Sequence, residues 1–330
     1  MFAAPLRDPC GRLTRKTPMA TRAPSPRPPS TSPNRRQWTV KDLAAWTAKF
    51  FAEKGIDNPR LDAEVLLAHA LGENRIDLYL RPERKVPPEI LAVFKGFLQR
   101  RARREPVAYI TGRREFYSIP LQVGPDVLVP RPETEHVVER ALAEGRRLDR
   151  LDPFRVIRIL DVGTGSGNIA VALAMHLPRA KIFATDRSRG ALCLARRNAL
   201  ASLGPTGAIR FVQADLFLGL HPEKARFELI VSNPPYIPSG LRARLPPEVR
   251  AYEPWSALDG GVDGMDVLRA LLTDGPRYLA TGGALVCEIG EGQKEPLMDL
   301  AIQTGSFASV EFDSDYAGKP RVLVARRAAC

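Results

Sequence analysis

From residue 156 onward, short apolar runs alternate with stretches whose apolar residues recur at helical spacing. Residues 156–160, 181–185, 209–213, 227–232, 283–288, 310–312 and 321–325 read as strands. Ala170, Val171, Leu173, Ala174 and Leu177 lie between the first two at the spacing of a helix buried on most sides. Seven strands separated by helices predict an α/β class, a doubly wound sheet, with the last two strands forming an antiparallel edge.

Upstream the period changes. Residues 39–104 show only helical patterning. Thr39 with Asp42 resembles a capping box, and Leu43, Trp46 and Phe50 follow at helical spacing. Asn58-Pro59 reads as a cap and first helical residue, continued by Leu61, Val65, Leu66 and His69. Pro87-Pro88 opens another helix with Ile90, Phe94, Phe97 and Leu98 on one face. These aromatic stripes are expected to pack the helices together. The run Arg100, Arg101, Arg103 and Arg104 reads as a solvated face at a helix C-terminus, where cations are favoured. Residues 115–129 alternate and are expected to form a hairpin turning at Gly124-Pro125-Asp126, and Pro132 opens the next helix. The expected division is a tail at 1–36, a helical-bundle domain at 37–112, a hairpin linker at 113–130 and an α/β domain at 131–330.

Charge sharpens this division. The net charge is +12, and the first 36 residues hold eight Arg or Lys against Asp8 alone. The tail accounts for +7, leaving a mild +5 on the body. The tail is rich in Pro, Ser and Thr and reads as disordered. Its basic, acid-poor composition also fits a mitochondrial transit peptide, but its eight prolines would break a targeting helix. Met19 is an alternative start. A cytoplasmic location is expected, with a mitochondrial one if residues 1–36 are a leader. No run approaches the roughly 18 apolar residues of a membrane helix. The four cysteines lack paired spacing, which argues for a reducing compartment and against a disulfide framework, and the four histidines lack ligand spacing, so no metal site is expected.

The first chemical motif follows the first strand. Asp161-Val162-Gly163-Thr164-Gly165-Ser166-Gly167 leads into a helix, the strand, glycine turn and helix arrangement that binds nucleotides. Glycines admit close backbone approach to a ligand, and the helix start offers free N–H groups. Asp186 ends the second strand, 19 residues past Gly167, where a carboxylate can accept ribose hydroxyls. Asp215, beside apolar Leu216 and Phe217, ends the third strand and can border an adenine. The spacing Gly165-x-Gly167-x-x-Ala170 also satisfies the looser NAD fingerprint, so glycines alone leave a dehydrogenase open. Asp161 tilts the reading toward the cationic amino acid moiety of S-adenosylmethionine.

The second motif is Asn233-Pro234-Pro235-Tyr236, directly after the fourth strand. The Asn side-chain oxygen can accept one hydrogen bond from a planar NH2 group. A proline carbonyl, held on a stiff backbone, can accept the other. The Tyr ring can lie against the flat group. Such a clamp has no use in hydride transfer. Read as a bare turn, the tetrapeptide would need none of this chemistry.

With these motifs in place, the chain resembles the HemK/PrmC methyltransferases over about residues 39–326. The resemblance rests on residues 104–112 with Phe116-Tyr117, on Val129-Pro130-Arg131-Pro132-Glu133-Thr134-Glu135, on the glycine turn, on Asn233 to Tyr236, and on Tyr252-Glu253-Pro254 with Ala257-Leu258 and Gly260-Gly261. It implies an S-adenosylmethionine-dependent methyltransferase fold and a protein-(glutamine-N5) methyltransferase. The implied substrate is the glutamine of the Gly-Gly-Gln motif in peptide chain release factors. Asp161, Gly163, Thr164, Gly165, Ser166, Gly167, Asp186, Asp215 and Leu216 would serve the cofactor, Leu216 standing where some members carry Trp. Asn233 would touch cofactor and glutamine, and Pro234, Pro235 and Tyr236 the glutamine, with Asn233, Pro234 and Tyr236 carrying the chemistry. The helical domain is expected to dock the release factor. Two rivals use the same fold: an exocyclic-amine DNA or RNA methyltransferase, and a non-catalytic release-factor or ribosome-binding protein. Base-flipping enzymes usually carry a sizeable recognition domain, whereas only residues 237–262 are inserted here. The mild body charge also speaks against a nucleic acid substrate.

Overall fold

Parallel strands need a crossover between them, and the helical segments between the apolar runs supply it. The computed structural model describes residues 37–328 except 153, 206–208 and 225. The expectations for residues 1–36 lie outside the described residues. The chain divides into two units, the first ending at Ala102 and the second beginning at Arg103.

In the first unit, α1 (Val40–Glu53), α2 (Pro59–Leu71), α3 (Arg75–Leu80) and α4 (Pro88–Ala102) surround a small core. Thr39 caps α1 as its sequence predicts, accepting from the Asp42 backbone N–H at 3.1 Å. The buried stripe differs from the expected one. It runs Val40, Leu43, Thr47 and Phe51, sharing Leu43 with the expected one; Leu66, Leu67, Phe94 and Leu98 are buried in the same unit. Trp46 is instead 45% exposed and stacks on Phe50 at 5.5 Å, while Leu61 is 43% exposed. Offsetting by one residue turns an α-helical stripe by about 100°, so neighbouring apolar positions compete for the inward face. The arginine run is also not a purely solvated face: Arg101 is buried against Asp62 at 2.7 Å.

The second unit opens with α5 (Val107–Thr111) and a hairpin of β1 (Arg113–Phe116) and β2 (Ile119–Gln122). The hairpin turns at Tyr117-Ser118, both at positive φ, rather than at Gly124-Pro125-Asp126. Two consecutive left-handed residues match the twist of a tight hairpin, although neither is glycine. After the 3-10 turn Pro132–Thr134 come α6 (Glu135–Leu151), β3 (Arg158–Val162), α7 (Asn168–His176), β4 (Lys181–Asp186), α8 (Arg189–Leu203), β5 (Ile209–Gln213) and β6 (Phe227–Ser232). The chain ends with α9 (Pro247–Tyr252), α10 (Asp266–Tyr278), β7 (Leu279–Glu288), α11 (Lys294–Thr304), β8 (Phe307–Ser314) and β9 (Pro320–Arg327).

The sheet has seven strands in the order β5-β4-β3-β6-β7-β9-β8, parallel except for the two antiparallel pairings of β9. All seven predicted strands are present, and the antiparallel edge lies where it was expected. Alternate residues feed two cores. Ile159, Leu229 and Val286 face α6 and α7, whereas Leu160, Ile230 and Leu285 face α10 and α11. Among the described residues no helix is long and apolar enough to cross a membrane. Cys287 is a buried free thiol.

The interior strand β6 carries one carboxylate, Glu228, 1% exposed. It accepts from the Arg158 backbone N–H at 2.7 Å and from the side chains of Arg155 and Arg158 at 2.9 and 3.3 Å. Burial pushes this carboxyl up, but the bonds from Arg158 and Arg155 outweigh it and hold the group below its ordinary 4.5. A depressed folded-state pKa means stability that is present above the unfolded value and lost as pH falls through the folded one. Glu228→Gln should therefore cost about 1.5–3 kcal/mol near neutrality, the scale for hydrogen bonds to a charged group. The gap to wild type should narrow in acid. Urea melts at both pH values check this, and an equal gap at both would refute it.

Candidate active site

The sheet reverses its strand order between β3 and β6, the position where doubly wound sheets bind ligands at the carboxyl ends of the strands. A cleft of about 980 Å³, open to solvent, sits there. Its floor is the turn after β3. Gly163 and Gly165 adopt φ of 72° and 55°, and no atom lies within 4 Å of where their Cβ atoms would project. Gly167 serves packing instead, since a Cβ there would meet Ala195 of α8 at 3.1 Å. The Thr164 backbone N–H donates to the Thr185 carbonyl at 2.8 Å, stitching the turn to β4.

Asp186 lines the cleft at the end of β4. Its oxygens accept the backbone N–H groups of Gly165 at 2.9 Å and Ser188 at 2.8 Å. Burial still pushes its carboxyl up, against those two bonds. Each carboxylate oxygen has two lone pairs, so acceptor capacity remains for a ligand. Asp215 and Leu216 form the adjoining wall with Ala214 and Val267. Leu216 stands at φ 50°, unusual for a branched side chain.

Asp161 does not line the cleft. It is fully buried beneath the turn, where its Oδ2 accepts the Thr164 hydroxyl at 2.7 Å. Burial, with Asp186 adding repulsion, pushes its carboxyl up to about 7 in spite of the Thr164 bond. It shapes the turn from behind. Thr164 and Ser166 both line the cleft.

The opposite wall holds Ser232, Asn233, Pro234 and Pro235 at the end of β6. The Asn233 Nδ2 donates to Thr134 Oγ1 at 2.8 Å. The other arm of this planar amide, Oδ1, is thereby left for the cleft. Tyr236 turns inward: its hydroxyl donates to Glu288 Oε1 at 2.9 Å and its ring packs on the core beneath α10. It is not part of the cleft lining. The backbone beyond it is pinned by Gln293, whose Nε2 donates to the carbonyls of Tyr236 and Gly264 at 3.2 and 3.0 Å.

Sequence reasoning missed the mouth of the cleft. Asp126, Val127, Leu128 and Pro130 line one side, and Pro254, Ser256 and Ala257 another. Glu253 joins them, accepting the Val129 backbone N–H at 3.2 Å and the Arg131 side chain at 2.6 Å. Both segments were quoted as motifs, but nothing in their spacing says that they meet across 122 residues. Asn198 was missed as well. Its side chain exchanges hydrogen bonds with both backbone groups of Gln122 and donates to the Ser166 carbonyl at 2.8 Å, joining hairpin, α8 and glycine turn.

These residues fit S-adenosylmethionine. The bare faces of Gly163 and Gly165 leave a cradle that any side chain would fill, Asp186 offers acceptors for hydroxyls, and Leu216 and Val267 offer apolar contact for a base. Among the described residues no group of three or more His, Cys, Asp and Glu is placed to hold a metal ion.

The chain is similar to known proteins along most of its length. Residues 42–112 match the PrmC N-terminal domain, and residues 147–243 the methyltransferase small domain. A release factor glutamine methyltransferase of Geobacter sulfurreducens is 43% identical over 290 residues, covering 88% of this chain and 97% of the relative. One from Rhodopirellula baltica is 42% identical over 297 residues, covering 89% and 98%. A solved release factor-specific protein-(glutamine-N5) methyltransferase of Alicyclobacillus acidocaldarius is 28% identical, covers 63% of this chain and 99% of its own, and superposes with a TM-score of 0.37. Identity above 40% along nearly the whole length of such relatives leaves one conclusion: this chain belongs to the release factor glutamine methyltransferase family.

Proposed function

We propose that this protein transfers the methyl group of S-adenosylmethionine to the side-chain amide nitrogen of a glutamine, that of the Gly-Gly-Gln motif in peptide chain release factors. One observation supports this above others. Asn233 lines the same cleft as the glycine turn and Asp186, with its Nδ2 bonded away to Thr134 and an acceptor left for an incoming NH2 group.

When bound, S-adenosylmethionine supplies a methyl group already activated on a sulfonium. Gly163, Thr164, Gly165, Ser166 and Asp186 would hold it, with Asp215 and Leu216 bordering its base. Asp161 and Gly167 would contribute by fixing the turn. An amide nitrogen is a weak nucleophile because its lone pair is delocalised. Asn233 Oδ1 accepts one of its N–H bonds, and the carbonyl of Pro234, stiffened by Pro235, accepts the other. Two acceptors orient the nitrogen and favour its pyramidal form, so proximity and orientation carry the rate. Tyr236 backs the clamp as a packed wall, its hydroxyl being committed to Glu288. Glu253 is committed to Arg131 and Val129 and holds the mouth in shape, so the proton released after transfer goes to water. The helical unit, with Trp46 stacked on Phe50 at its surface, docks the body of the release factor.

Asn233→Ala should lower single-turnover methyl transfer to release factor on the order of 10²–10³-fold, by analogy with the loss of one oriented group at a reacting centre. A near wild-type rate would remove the clamp from the chemistry. Asp186→Ala should weaken S-adenosylmethionine binding by about 1.5–3 kcal/mol in calorimetry. Unchanged affinity in a folded variant would refute that role. For the helical unit, Trp46→Ser should raise KM for whole release factor while kcat and cofactor affinity stay put. An unaltered KM would take this face out of docking.

A further inference from the structure

A clamp built on an asparagine has a weakness: the side-chain amide presents an acceptor one way round and a donor the other. Turned by 180°, Asn233 would offer Nδ2 to the substrate's NH2 and repel it. Something must hold the amide the right way. The neighbours of Asn233 form a short chain of hydrogen bonds that does so. Asn233 Nδ2 donates to Thr134 Oγ1 at 2.8 Å, and the Thr134 hydroxyl donates to Glu288 Oε2 at 2.6 Å. The other oxygen of Glu288 accepts the Tyr236 hydroxyl at 2.9 Å.

The direction of this chain follows from proton counting. A threonine hydroxyl has one proton. Here it goes to a carboxylate, the stronger acceptor, in a short charge-assisted bond. Only lone pairs are then left facing Asn233, and only the NH2 arm can meet them. A flipped Asn233 would set oxygen against oxygen at hydrogen-bond distance, or pull the Thr134 proton off Glu288. Thr134 is 0% and Glu288 2% exposed, so no solvent competes for either group.

We propose that Thr134 and Glu288 are positioning residues that lock the Asn233 amide with its oxygen toward the substrate. The two come from distant parts of the chain, 154 residues apart, and meet behind the cleft because β7 lies beside β6 and the turn before α6 crosses their ends. Burial pushes the Glu288 carboxyl up, against the hydrogen bonds that Thr134 and Tyr236 donate to its two oxygens; of the other charges facing it, Glu133 adds to the rise and Arg321 opposes it. This inference rests on the proposed amide chemistry for its kinetic consequence, but not for the orientation itself.

The test compares Thr134→Val, which keeps the volume and removes the hydroxyl, with Thr134→Ser, which keeps the hydroxyl. Thr134→Val should reduce the single-turnover rate on release factor by on the order of 10–100-fold, a share of the loss expected for the clamp residue itself. KM for release factor and calorimetric affinity for S-adenosylmethionine should stay within about twofold, below 0.5 kcal/mol at the ordinary conversion. Thr134→Ser should recover most of the rate. The rate of Thr134→Val equalling wild type, or Thr134→Ser being as slow as Thr134→Val, would overturn the proposal.

A second readout needs no turnover. In the full chain labelled with ¹⁵N, the Asn233 side-chain NH2 signal is identified by its absence in Asn233→Ala. Its two protons should exchange with water slowly in wild type and in Thr134→Ser, and fast in Thr134→Val. Glu288→Gln, which can donate to Thr134 and release its proton toward Asn233, should also shift this signal. An Asn233 signal indifferent to both Thr134→Val and Glu288→Gln would overturn the lock. Should the wild-type enzyme fail to methylate release factor, the proposed function falls, while the exchange measurement still decides the orientation.

Discussion

The parallel pairing of β3 with β6 is the constraint on which the site depends. In register it sets Val162 beside Ser232, so the residues that follow each strand emerge side by side. One strand continues into a glycine turn, the other into Asn-Pro-Pro-Tyr. In the proposed function neither segment acts without the other: the first would present a bare backbone to the cofactor, the second acceptors to the nucleophile. The reversal of strand order at this pair sends α7 and α10 to opposite faces and leaves the gap between the strand ends uncovered. A slip of one residue in the pairing would turn Asn233 toward the other face of the sheet.

Much of this was legible before any coordinates. Strong period-2 and buried-strand patterns located all seven strands, and the punctuation after them located the turns that carry chemistry. The tighter failures have a common physical origin. The hairpin turn was assigned to Gly-Pro-Asp because that composition favours turns, yet the chain reverses at Tyr117-Ser118, where pairing of β1 with β2 imposes left-handed backbone on ordinary residues. The inward stripe of α1 was expected to run Leu43, Trp46, Phe50; Leu43 does face in, but Thr47 and Phe51 take the inward places of the two rings in a helix packed against α2. In both cases tertiary packing overrode a local preference.

The roles assigned to single residues were least legible. Asp161 and Asp186 are both carboxylates at strand ends, and the letters alone do not separate them. Burial does. Asp161 lies beneath the turn with its Oδ2 on Thr164, whereas Asp186 is held open to the cleft by two backbone N–H groups. Tyr236 reads as a substrate platform in sequence; in the structure its hydroxyl donates to Glu288 of β7, and it is not among the residues lining the cleft. The pairings of Glu288 with Tyr236 and with Thr134 join residues 52 and 154 positions apart and follow from the topology, not from any local pattern.

Asn198 carries a consequence for how this protein can change. Hairpin tips are ordinarily where chains accept insertions at little cost. Here both backbone groups of Gln122 are held by Asn198, which also holds the Ser166 carbonyl in the glycine turn. One residue added between Ser118 and Gln122 would present a different backbone unit to Asn198 and carry the error into the cradle. The register of β2 is therefore tied to the shape of a site that the hairpin does not itself line.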